Sequence, residues 1–354
     1  MVEIDGSFGE GGGQILRYAL VYSLFKKEPF RIFNIRKGRP NPGLKAQHLN
    51  ILKALKMITN SEVKGDFLGS LEVEFKPGEI LGGKVFLDFQ TAGSIPLFLQ
   101  TILPVSIFSK NPVFLHLKGG TDVPGAMTFD YFENVILKVV SKIIKDIDIK
   151  ILRRGYYPKG GGEVKIYLKG KNSLYDFKNL NEFRKFLKEN LNLNFEKGRI
   201  LKINGKISSS ISLKEKKVCE RIKEKAENIL ISRGYRDFHF KYSYEDSLSP
   251  GCSFTVWAEL ENNGLIGNDI LCKKGVPAEN LAEICVNDFL DMILKNSVDY
   301  HLSDNLVLWL SLAGGKIIID KETEHFRTAV FVAKKFLDFD FKVEENNIIF
   351  SVNI

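Results

Sequence analysis

The sequence predicts a mixed α/β (α+β) protein: a large domain of three repeated units, each with two helices on a four-stranded sheet, interrupted by a small inserted α/β domain. Three observations carry this expectation. One order of strands and helices recurs three times along the chain. That rhythm breaks once, over residues 173–265. And 354 residues, 44% of them hydrophobic, exceed one typical domain and can fill more than one core.

The first unit opens with Val2-Glu3-Ile4-Asp5 and a turn, Gly9-Glu10-Gly11-Gly12-Gly13, before the apolar-periodic helix that begins at Gln14 and Ile15. The alternation of Phe30 to Ile35 predicts a strand. Arg36-Lys37-Gly38-Arg39-Pro40-Asn41-Pro42-Gly43 is a basic, proline-punctuated loop ahead of a helix from Leu44 to Ile58. Residues 62–65 and 71–76 close the unit as an antiparallel pair.

The same order returns from Lys84. A strand to Phe89 passes through Thr91-Ala92-Gly93-Ser94 into a helix, Ile95 to Phe108, and then a strand, Val113 to Leu117. The loop Gly119-Gly120-Thr121-Asp122 introduces a helix near Phe129 to Ile143, followed by strands over 148–153 and 162–168. The third pass holds the helix after Asp304, a strand over 316–320, the helix Thr323 to Leu337, and strands over 341–344 and 348–352. The large domain is thus expected over 1–172 and 266–354, with the insert at 173–265. Within the insert, the Lys/Glu-striped helix from Leu213 to Ser232 reads as a solvated face.

Lys and Arg total 51 against 43 Asp and Glu, and the resulting +8 suits a polyanionic partner without requiring one. Cys219, Cys252, Cys272 and Cys285 form no CxxC pair and read as reduced core thiols. No apolar run approaches the ~20 residues of a membrane span, so the expected location is cytoplasmic.

The chemistry centres on His301-Leu302-Ser303-Asp304-Asn305, at the mouth of the apolar run Leu306 to Ala313. With Ser303 or Asp304 as N-cap, His301 is expected just outside a helix N-terminus, where phosphate is attracted and imidazole is kept neutral and nucleophilic. A surface loop histidine would give the same local pattern. His116 and His239 in strands and His325 in a helix read as structural. His48 follows Gln47 one turn after a loop carrying Arg36 and Arg39, whose guanidinium forks suit phosphate; an ordinary basic loop is the competing reading. Glu10 reads either as a metal ligand or as a solvated turn residue, and its glycine run is no P-loop, because no Gly-Lys-Ser/Thr follows. Arg154-Gly155-Tyr156-Tyr157-Pro158-Lys159-Gly160-Gly161-Gly162 offers either a backbone approach to ribose-phosphate or a long turn.

Over nearly its whole length the sequence resembles the RNA 3′-terminal phosphate cyclase family. Residues 154–162 match the family signature, supported by Asp5-Gly6 with Gly9 to Arg17, Arg36 to His48, Gly119 to Asp122, Lys274 to Glu279, and His301 with Asp304. The resemblance implies three repeated units with an inserted domain, in agreement with the repeat. It implies ATP as co-substrate, Mg²⁺ or Mn²⁺, and an RNA with a 3′-terminal phosphate as partner. By this resemblance His301 is the nucleophile that attacks the α-phosphorus of ATP. The adenylate then passes to the RNA 3′-phosphate, and the 2′-hydroxyl closes a 2′,3′-cyclic phosphate with release of AMP. Gln100, His301, Asp304 and Glu10 are implied in ATP binding, Arg17, Arg36, Arg39, Gln47 and His48 in phosphate or RNA binding, and Glu10 as metal ligand. The chain departs from the family pattern at Asn305, usually glutamine, and at Met127-Thr128, usually two prolines. Two other readings are a non-catalytic relative acting in ribosome assembly, which lacks the nucleophile, and an enolpyruvyl-type transferase; the signature argues against the second.

Overall fold

The structure is a computed structural model that describes residues 1–9, 11–195, 198–261, 264–295, 297–344 and 347–352. In the first unit β1 (Val2–Asp5), α1 (Gln14–Lys26) and β2 (Phe30–Phe33) form a parallel crossover; α2 (Ala46–Ile58) then leads to the hairpin β3 (Glu62–Lys64) and β4 (Val73–Lys76), giving the order β1-β2-β4-β3. The second unit repeats this with β5 (Gly83–Asp88), α3 (Ile95–Ile107), β6 (Val113–Gly119), β7 (Ile144–Arg153) and β8 (Gly162–Gly170), in the order β5-β6-β8-β7. Its second helix is not continuous. It runs as α4 (Phe129–Tyr131), a π turn (Phe132–Ile136) and α5 (Leu137–Val140), the wider turn letting Phe132, Val135 and Ile136 all stay buried.

α6 (Leu180–Asn190) follows. In the third unit, α9 (Tyr300–Ala313) and α10 (Glu324–Phe336) cover a sheet whose described strands number three, β13-β15-β14: β13 (Gly315–Ile318), β14 (Asp340–Glu344) and β15 (Asn347–Ser351). The expected fourth strand is split. Asn194 bridges Lys316 and Val298 bridges Ile319, both in parallel, so two fragments share the place held by β1 and β5 in the other units. The chain leaves that strand after Phe195 and returns at Val298.

Between them lie β9 (Ile200–Ser210), α7 (Val218–Ser232), β10 (Phe238–Glu245), β11 (Cys252–Leu260), β12 (Leu265–Leu271) and α8 (Ala278–Lys295), with sheet order β10-β9-β11-β12. This packing shifts the expected limits of 173 and 265. Phe183 and Leu187 of α6 belong to the large core, whereas Ala282, Cys285 and Phe289 of α8 belong to the insert's core with Ile222 and Phe254. We therefore propose that the insert lies between Phe195 and Val298. A sequence reading misplaces it because α6 carries its apolar stripe toward α9, a contact between segments far apart in the chain.

α9 is apolar on nearly all sides, and Leu306, Val307, Leu310 and Leu312 are fully buried against the neighbouring helices, as befits a central helix. Each such side chain contributes ~1.5–3 kcal/mol by burial. This anchors the first turn of α9, where the chemistry is expected.

Candidate active site

The three units and the insert surround one cleft of about 1400 Å³. Arg17, Arg36 and Arg39 come from unit one, Gln100 and Asp122 from unit two, His301, Asp304 and His325 from unit three, and Asp269, Lys273 and Lys274 from the insert. Of the expected residues, Arg17, Arg36, Arg39, Gln100, His301 and Asp304 line it; Gln47 and His48 do not, and Glu10 lies outside the described residues.

The basic wall starts at the N-terminus of α1. Its cap position is Gly13, which offers no side-chain hydrogen bond, and its first turn holds no acid, so its leading N–H groups face the cleft as an anion site. Gly13 is required here: a Cβ would come within 2.0 Å of His48 Nε2. His48 is thus a packing residue behind the glycine loop. Its Nδ1 accepts from Lys45 N–H at 3.0 Å, and burial, with Arg17, Arg36 and Lys45 nearby, lowers its pKa to about 3, leaving the ring neutral.

Burial brings Arg17 down to about 10 and also lowers Arg36, which is further repelled by Arg39. Neither Arg17 nor Arg36 has a carboxylate partner among the described residues, and the buried Nε of Arg36, Nε2 of Gln47 and Oε1 of Gln14 have no hydrogen-bond partner. Arg36 also sits at φ 55°, a left-handed backbone that a bulky residue adopts only when its surroundings enforce it. Orphaned donors and uncompensated guanidiniums are costly alone and are satisfied by an anion.

The acidic wall faces them. His301 is not outside a helix: it is in the first turn of α9, whose N-cap is Asp299, accepting from Leu302 N–H at 2.9 Å and from the Tyr131 hydroxyl. The chain reaches the helix earlier than its apolar run begins, because the buried Asp299 caps better than the more advanced Ser303 or Asp304. The Nε2 of His301 lies 3.5 Å from Asp269 Oδ1. Burial pushes His301 toward the neutral form, but the carboxylates of Asp269, Asp299 and Asp304 outweigh it and raise the pKa above the ordinary histidine value. The three carboxylates thus work against the neutral imidazole expected from the helix dipole. Asp304 is occupied as well: the Thr323 hydroxyl donates to its Oδ1 at 2.6 Å, and the Tyr18 hydroxyl donates to its backbone carbonyl at 2.6 Å. Asn305 Nδ2 donates to the carbonyl of His301 at 2.7 Å.

His325, expected to be structural, lines the cleft from the exposed first turn of α10, whose N-cap is Thr323. The glycine loop abuts this helix. Phe8 stacks on Phe331 with ring centroids 3.8 Å apart, and a Cβ on Gly9 would come within 2.8 Å of Thr328 Oγ1. Thr323-Glu324-His325 puts this histidine just after a capping residue, at the start of the helix that the sequence already placed from Thr323. Asp269 gave none, since its approach to His301 depends on how the insert docks.

The segment 154–162 is the turn between β7 and β8, as one of its two readings had it, and it also carries a buried ion-pair network. Arg154 is fully buried, with Asp122 at 3.2 Å, Asp130 at 2.8 Å and Glu245 at 3.2 Å, and Lys206 of the insert adds a contact of 2.7 Å to Asp130. It ties unit two to the insert, while Tyr157 and Pro158 border the cleft. Among the described residues no group of three or more His, Cys, Asp or Glu is arranged to hold a metal ion, and no helix is long and apolar enough to cross a membrane.

The class is a repeated helix-on-sheet α/β fold with one cleft, bordered by Arg17 and Arg36, which have no carboxylate partner among the described residues, by the N-terminus of α1, and by His301 and His325. The family model for RNA 3′-terminal phosphate cyclase matches residues 8–343. The chain is 41% identical over 345 residues to the RNA 3′-terminal phosphate cyclase of Pyrococcus furiosus, covering 97% of this chain and 95% of that one. It is 39% identical to that of Saccharolobus solfataricus, at 96% and 95% coverage, and 38% identical to that of Methanosarcina acetivorans over the full length of both. The chain belongs to the RNA 3′-terminal phosphate cyclase family.

Proposed function

We propose that the chain converts an RNA 3′-phosphate into a 2′,3′-cyclic phosphate, with ATP going to AMP and pyrophosphate through a covalent histidine-AMP. The observation that carries this is the pairing of the uncompensated Arg17 and Arg36 with the open N-terminus of α1 in a cleft that also holds His301 and His325. An imidazole nitrogen attacks the α-phosphorus and pyrophosphate leaves. An oxygen of the RNA 3′-phosphate then displaces the histidine, forming a pyrophosphate link to AMP. Finally the 2′-hydroxyl loses its proton and attacks the RNA phosphorus, and AMP departs.

The sequence assigns the attack to His301. Asp269 Oδ1, 3.5 Å from His301 Nε2, holds that ring in place at the first turn of α9. On this reading His301 is the nucleophile, Asp304 and Gln100 border the nucleotide with it, and His325 lies on the cleft wall at the first turn of α10. The two cleft histidines also weigh against the non-catalytic ribosome-assembly alternative.

A magnesium or manganese ion bound with the ATP phosphates would supply charge neutralisation there. Hard divalent ions keep most of their waters and need few protein ligands; Glu10 is the proposed one. Cyclisation is tested by incubating an RNA 3′-phosphate with protein, ATP and Mg²⁺. The end becomes resistant to phosphatase; an end that stays sensitive contradicts the proposal.

A further inference from the structure

The insert's sheet has two faces. Ile203, Ile207, Phe240, Phe254 and Val256 pack under α7 and α8. The opposite face is covered near β11 and β12 by unit two, where Thr128 and Thr255 join hydroxyls at 2.8 Å and a Cβ on Gly267 would lie 2.9 Å from Val135. Toward β10 that cover ends. There the sheet opens into a second cavity of about 550 Å³, walled across from the strands by Glu133 and Asn134 of the π turn.

The floor of this groove is rich in donors. Lys206 is engaged, at 2.7 Å from Asp130 and 3.8 Å from Glu133. Lys202 and Lys241 are exposed and enter no ion pair among the described residues. Trp257 lines the groove at 8% exposure, and its indole N–H, buried, has no acceptor among the described residues. Leaving such a donor unpaired costs ~1–3 kcal/mol, a cost that a bound acceptor removes. His239, exposed on the same face of β10, adds a ring at the rim. Free cations on adjacent strands, an aromatic surface and an inward-facing N–H are the elements that hold a single nucleic-acid strand: lysines for phosphates, rings for stacking, the N–H for a base or ribose oxygen.

The groove also lies on the sheet face that carries Asp269. β12, where Asp269 meets His301, is three strands from β10, or about 14 Å at the usual strand spacing. We propose that this groove binds the single-stranded RNA segment on the 5′ side of the reacting 3′ end, as an accessory site separate from the cleft. The proposal rests on the reading of the chain as an RNA 3′-phosphate cyclase.

The test uses a Lys202→Glu/Lys241→Glu double variant and Trp257→Phe, which keeps the ring and removes the N–H. Each is assayed with a 20-nucleotide RNA 3′-phosphate and with a trinucleotide 3′-phosphate. Protein-AMP formation from ATP alone serves as the control for folding and for the cleft. Expected for the double variant are a KM for the long RNA raised at least tenfold, an unchanged KM for the trinucleotide, and unchanged adenylation. Binding of a 3′-hydroxyl form of the long RNA, read by fluorescence anisotropy, should lose about 1.4 from its log–log salt slope, from about 0.7 per phosphate contact. Trp257→Phe should raise the long-RNA KM threefold or more without altering the salt slope. An unchanged long-RNA KM in the double variant, or an equal rise for both substrates, overturns the groove. If the wild-type protein neither adenylates nor cyclises, the functional reading fails, and the groove is then decided by anisotropy alone: wild-type binding that survives the double substitution, or its absence in the wild type, overturns it.

Discussion

Asp269 Oδ1 lies 3.5 Å from His301 Nε2, joining the last strand of the insert to the first turn of α9. The pair sets the charge on one wall of the cleft. Burial lowers the histidine pKa, but Asp269, Asp299 and Asp304 together raise it above 6.5. A raised folded-state pKa means that the stabilisation is fully present below the unfolded pKa and is lost as pH rises through the folded one. The imidazole of His301, followed by NMR, is expected to titrate above the histidines of the denatured protein, and Asp269→Asn should lower its midpoint. A wild-type midpoint at or below the denatured value contradicts this.

Arg36 presents a buried Nε with no hydrogen-bond partner among the described residues, beside Arg39. Arg36→Lys keeps the charge and loses the planar fork. Protein-AMP formation should fall roughly tenfold or more, the equivalent of one charged hydrogen bond of about 1.5 kcal/mol. Arg36→Lys and Arg39→Lys variants that both keep normal rates would make the loop a solvated surface.

The metal reading turns on Glu10. Glu10→Ala should raise the Mg²⁺ or Mn²⁺ concentration needed for adenylation without changing the saturated fold stability. Adenylation that proceeds in excess chelator, or a metal titration that does not move, rules the assignment out.

Arg154 is fully buried among Asp122, Asp130 and Glu245. Arg154→Met removes one side of the network and leaves buried carboxylates unpaired, so unfolding in urea should show a loss of ~3–5 kcal/mol. A loss under about 1 kcal/mol would mean that these carboxylates are already neutral.

The repeat was legible because each unit writes its own periodicity: Phe30 to Phe33, Val113 to Gly119 and the apolar run of α9 all appear where the pattern put them. The limits of the insert were not, since Asn194 and Val298, over a hundred positions apart, complete one strand. Arg36 and Arg39, which line the cleft, were legible from their loop, whereas Arg17 came from the resemblance alone. The partner of His301 was not legible, because only the docking of the insert brings Asp269 to it.

The central claim is a histidine-AMP in this cleft, formed on His301. Protein incubated with ATP labelled at the α-phosphate and Mg²⁺, then digested and mapped, should carry acid-labile label on the peptide containing His301. His301→Ala should abolish the label, and His325→Ala should leave it in place. Label on His325, or full labelling of His301→Ala, would contradict the assignment; no covalent label at all in the wild type would contradict the mechanism.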